Sequence, residues 1–167
     1  CSSDLLGGGG IIVFGLNAEK NYFWNIKEFD SQINKSYAQT GLINIDNFNP
    51  DFFEVNGKSK KELLFDSLAY VKGNVGDTIR LFIANHGFGI RSIHFHGYHC
   101  SIIFSSKNSN HVNRIKDTFP LFPNENLVLE LIPDKPGLYP VHDHNLTAVT
   151  GGGIFPNGIF MMMDIEE

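Results

Sequence analysis

The strongest constraint in this sequence is a succession of short apolar or alternating runs, each closed by residues that turn the chain. The runs at 11–16, 51–55, 78–84, 92–96, 101–104, 127–132, 137–141 and 158–163 are rich in Ile, Val and Phe. Asn56-Gly57, Gly76-Asp77 and the Gly- and Pro-bearing stretches 85–89, 133–137 and 151–153 punctuate them. Runs of four to eight residues between such breakers read as strands. No long window carries a period of 3.6. Short strands at this density predict an all-β sandwich or barrel. A short helix is expected over 60–66, where Ser59 and Glu62 have capping-box spacing. The polar segment 17–49 reads as an irregular elaboration ahead of the main strands.

The chain has 167 residues, the size of one domain with its own core. Residues 1–10 are read as a flexible tail and 11–167 as the domain. Thirteen basic against eighteen acidic residues leave a net charge of −5, which argues against a nucleic-acid footprint. No apolar stretch approaches the roughly 20 residues that span a bilayer.

Four of the seven histidines form two H-x-H pairs, His94-Phe95-His96 and His142-Asp143-His144. Side chains alternate along a strand, so both members of a pair face the same way. Adjacent strands would bring all four imidazoles to one side of the fold. Neutral imidazole suits copper, zinc, iron or nickel. Hard cations such as calcium, which want oxygen donors, are poor candidates. His86, His99 and His111 lie in loops or on the other strand face and are expected to be solvated or locally bonded. Cys100 is read as a small buried residue, although it shares parity with His94 and His96. Asp117 and Asp134 are the carboxylates near enough in sequence to orient a metal-bound ring.

At these residues the chain resembles the multicopper oxidases and the copper nitrite reductases. Ser92-Ile93-His94-Phe95-His96-Gly97 looks like the H-x-H-G motif, and Pro136-Gly137-Leu138-Tyr139-Pro140-Val141-His142-Asp143-His144 like the later H-x-H strand. Val75-Gly76-Asp77 and Phe119-Pro120-Leu121-Phe122-Pro123 fit the ceruloplasmin-like and two-domain members. The resemblance implies a Greek-key cupredoxin-like β-sandwich. It implies copper as the cofactor, with His94, His96, His142 and His144 as a type 2/type 3-like half-site. It also implies a partner, since the full cluster of that family lies between two cupredoxin domains. The partner would be an identical subunit, as in a trimer, or a separate chain. The alternative is a copper-binding or structural module without turnover.

The family's blue type 1 copper needs a His, a Cys, a second His and usually a Met at places that hold Arg91, Asp143, Ala148 and Gly153 here. No thiolate stands at the required point. Arg91 and Asp143 have the parity opposite to the imidazoles, so they are expected to approach each other where that metal would sit. Cys1-Ser2-Ser3 resembles the processed start of a bacterial lipoprotein, which would put a lipid on Cys1 as the sole tie to a membrane. A cleavage boundary accounts for it equally well. The expected location is extracellular, periplasmic or at the cell surface.

Overall fold

Alternation builds the first strand of the computed structural model, which describes residues 20–167. Along β1 (Lys20–Phe29) every second side chain points inward, so Tyr22, Trp24, Ile26 and Glu28 are buried while their neighbours are not. This corrects the expectation of irregular chain over 17–49. The inward row ends on a carboxylate, and Phe23 stacks on Phe82 at 5.2 Å outside the core, which blurs the apolar period. Helix α1 (Ser31–Thr40) follows, with no residue buried. Asp30 caps it through Oδ1 to the Gln32 and Ile33 N–H groups, and Oδ2 reaches Asn49 N–H at 2.7 Å. One side chain thus closes both ends of the excursion.

The remaining strands are β2 (Phe52–Val55), β3 (Val71–Asn74), β4 (Ile79–Asn85), β5 (Arg91–Phe95), β6 (Cys100–Ser105), β7 (Ile115–Lys116), β8 (Thr118–Leu121), β9 (Asn126–Leu131), β10 (Gly137–Asp143) and β11 (Phe160–Glu166). They form two sheets, ordered β2-β1-β4-β9-β6-β7 and β3-β11-β10-β5-β8. The chain alternates between sheets from β4 to β5 to β6, and again from β8 to β9 to β10. This is the all-β sandwich anticipated. Pro120 lies in β8, which took no part in the expected strand set. The strand sits at a sheet edge, where a residue without an N–H is tolerated.

Between the sheets, Trp24 stacks on Phe95 at 5.9 Å, and Phe95 meets Phe119 edge-on at 5.7 Å. Trp24 Nε1 donates to the Ala69 carbonyl at 3.1 Å, so the largest core side chain keeps its hydrogen bond. Lys60–Phe65 is a 3₁₀ helix, and Ser59 makes no side-chain cap, contrary to the capping box expected there. No helix among the described residues is long and apolar enough to cross a membrane. The tail read over 1–10, the strand expected at 11–16 and Cys1 lie outside the described residues.

Candidate metal centre

Strands β5 and β10 pair antiparallel with His94 opposite His142. The ladder continues past the ends of both strands. His96 N–H donates to the Pro140 carbonyl at 3.1 Å, and His144 N–H to the Ser92 carbonyl at 2.7 Å. All four histidines therefore lie on one side of a single two-strand ladder. The His94 ring centroid is 4.8 Å from His96, 5.6 Å from His142 and 5.5 Å from His144. His96 and His144 are exposed, and His94 and His142 half-buried. His86, His99 and His111 are absent from these ring contacts. His111 bonds instead to Asn108 at 3.0 Å.

Hydrogen bonds assign the ring nitrogens. His142 Nδ1 lies 2.9 Å from the Asp143 carbonyl, which only accepts, so Nδ1 carries the proton and Nε2 is the lone pair of the neutral ring. Thr118 donates its hydroxyl proton to Asp117 Oδ1 at 3.1 Å and so accepts from His94 Nδ1 at 2.9 Å. His94 Nε2 is thereby left free. Asp117, and not Asp134, is the carboxylate that reaches the cluster, and it does so through a hydroxyl absent from the sequence reading. Desolvation by the surrounding chain holds the His96 imidazole below its ordinary pKa although the residue is exposed, and repulsion from His94 and His142 adds to this. The neutral ligand form is favoured.

These donors suit a borderline metal ion. His96 Nε2 and His142 Nε2 are 3.0 Å apart, and the latter is a lone pair in the neutral ring, so a proton or a cation belongs between them. Two nitrogens each about 2.0 Å from one ion end up at about that separation. Among the described residues, however, no three His, Cys, Asp or Glu side chains are arranged to hold an ion.

Local backbone demands explain the glycines in both motifs. Gly97 adopts φ +80°, and a β-carbon there would lie 2.5 Å from the Tyr139 ring. At Gly137 a β-carbon would come within 2.6 Å of the other edge of the same ring. Tyr139 in turn meets Tyr98 edge-on at 4.8 Å.

On the other side of the same strands, Arg91 and Asp143 meet as expected, with Nη1 3.6 Å from Oδ2. Glu28 joins them, its Oε2 lying 2.5 Å from Arg91 Nη2. Sequence reasoning missed Glu28, though its parity with Tyr22, Trp24 and Ile26 was the available signal. Burial raises the Asp143 carboxyl above the usual range, against the N–H of Asn145, the Arg91 charge and the N–H of Ser92. The one cysteine among the described residues, Cys100, is a free thiol in the core, where burial pushes its pKa up.

A family model described as multicopper oxidase matches residues 34–155. A comparison with curated protein sequences finds no match. Among solved structures, a blue copper oxidase from Nitrosomonas europaea is similar at 26% identity and TM-score 0.74, over 89% of this chain and 44% of that one. The multicopper oxidase mgLAC matches at 23% identity and TM-score 0.71, over 89% and 44%. A copper nitrite reductase from Nitrosomonas europaea matches at 16% identity and TM-score 0.66, over 91% and 50%. The chain thus spans half or less of the length of each of these proteins.

Proposed function

The chain belongs to the multicopper oxidase family, whose members bind copper, and on that premise we propose that His94, His96, His142 and His144 are copper ligands forming a type 2/type 3-like half-site. Another cupredoxin domain completes the cluster, either in an identical subunit, as in a trimer, or in a separate chain. The carrying observation is the cluster itself: four rings on one ladder face, with two Nε2 atoms 3.0 Å apart. The chain's coverage of about half of each relative supports a partner domain. The same reading puts the chain in an extracellular or periplasmic setting, with Cys1 as a lipid attachment point.

Bound copper would supply one-electron chemistry and oxygen reduction. The chain's own part is to hold and orient. Thr118 and the Asp143 carbonyl fix the tautomers of His94 and His142, and Gly97 and Tyr139 shape the turn that presents His96. A second reading, copper binding without turnover, draws on the positions expected for blue copper. Arg91, Asp143, Ala148 and Gly153 stand there, with no thiolate among them.

Metal analysis and electron paramagnetic resonance on the purified chain test the proposal. Copper should bind to the wild type and be lost from the His96→Ala, His144→Ala double variant. Equal copper in the two proteins would end the proposal. Oxygen uptake with an aromatic amine or a reduced metal ion then separates an oxidase part from a carrier.

A further inference from the structure

We propose that Arg91 is a positioning residue for the imidazole face, acting through the carboxylates of Glu28 and Asp143; its link to copper rests on the proposed function, and its structural core does not. Each carboxylate gives one oxygen to backbone N–H groups, of the approach to β5 for Glu28 and of the chain flanking His94 and His144 for Asp143, and turns the other to the guanidinium. Glu28 Oε1 accepts from Phe88 N–H at 2.9 Å and Gly89 N–H at 2.7 Å, in the turn that leads into β5. Asp143 Oδ1 accepts from Ser92 N–H at 3.2 Å and Asn145 N–H at 2.9 Å. The second bond holds the chain just after His144, and the first holds the partner strand two residues before His94. Among the described residues, Arg91 is the one cation paired with both clamps.

The guanidinium has little freedom to shift. It packs over the Phe53 ring at 5.1 Å, and a β-carbon at Gly89 would collide with Nη2. Arg91, Glu28 and Asp143 are all buried, yet Arg91 Nη1, Glu28 Oε2 and Asp143 Oδ2 make no hydrogen bond. Arg91 Nε donates to the Gly89 carbonyl at 3.4 Å, but ion contacts of this buried kind are a poor source of stability, because desolvating the ions offsets their attraction. Such clusters are better suited to selecting one arrangement of the elements they join. The element most in need of that is His144, which is exposed and lies beyond the last regular pair, Asp143 with Ile93.

The test compares the full wild-type chain with two variants. Glu28→Gln, Arg91→Met, Asp143→Asn removes every charge while keeping side-chain size. Arg91→Lys keeps the charge but replaces a fork with a point donor. Imidazole ¹H–¹⁵N correlations of the metal-free chain report ring placement, and Cu(II) titration reports affinity. The triple variant should unfold within about 4 °C of wild type, with the His144 signals moved or split and Cu(II) affinity lowered at least about tenfold. Arg91→Lys should disturb His144 in the same way, and it decides the matter if the triple variant does not fold. Unchanged His144 signals, or unchanged Cu(II) affinity, overturn the proposal. A wild type that takes up no Cu(II) refutes the copper reading instead, and the His144 signals alone then decide this one.

Discussion

Strands β5 and β10 have two sides with opposite chemistry, although the residues that make them alternate along the same few positions. One side presents four imidazoles, two of them exposed. The other buries Arg91 and Asp143, joined by Glu28 from β1, where every charge must be answered by another. On the open side a ring can be removed with little effect on the fold, because water replaces it. On the closed side nothing replaces a lost ion. On the open side function is therefore expected to be sensitive where stability is not, and one residue along the strand the loss of an ion is expected to cost stability as well.

The sharpest way to break this contrast is Arg91→Ala. Leaving two buried carboxylates without their cation should cost about 3–5 kcal/mol in urea unfolding; a loss below about 1 kcal/mol would mean that the buried side is not as closed as described. Gly97→Ala comes next, since an L side chain at φ +80° is strained and its β-carbon meets the Tyr139 ring. A cost of about 1–3 kcal/mol is expected from the same unfolding experiment. His96→Ala and His144→Ala should each change stability by no more than about 0.5 kcal/mol, while copper uptake is lost. A large destabilisation by either would erase the difference between the two sides.

The smallest effect is expected far from both, at Asp30. The Asn49 N–H, followed by those of Ile33 and Gln32, holds its carboxyl below the usual range. A depressed folded pKa means that the carboxylate's support is complete above the unfolded value, about 3.9, and disappears as pH falls through the lower folded value. Amide protection across 31–40 should therefore persist down to about pH 4 and fade below it, with the sandwich intact. Asp30→Ala should abolish that protection at neutral pH. Unaltered exchange in the variant would show that α1 is held by something else.

Much of this architecture is legible in the chain because strand periodicity is local. The runs at 78–84, 92–96, 101–104, 127–132 and 137–141 correspond to β4, β5, β6, β9 and β10 with shifts of one or two residues at their ends. Strand β1 escaped detection because its inward row ends on Glu28, a residue that propensity assigns to the surface. β8 escaped because Pro120 interrupts it, and only its edge position makes that acceptable. The capping box at Ser59 failed for the opposite reason. Its spacing was right, but the chain closed a 3₁₀ turn instead.

Sequence alone determined that the members of each H-x-H pair share a side and that Arg91 and Asp143 take the other, since a period of two leaves no choice within a strand. Tertiary structure decided what meets what. It set His94 against His142, brought two Nε2 atoms to 3.0 Å, placed Thr118 and Asp117 behind His94 and carried Glu28 from β1 to Arg91. Those contacts join residues tens of positions apart. Their geometry follows from sheet register and from the closure of the core, which no local pattern encodes.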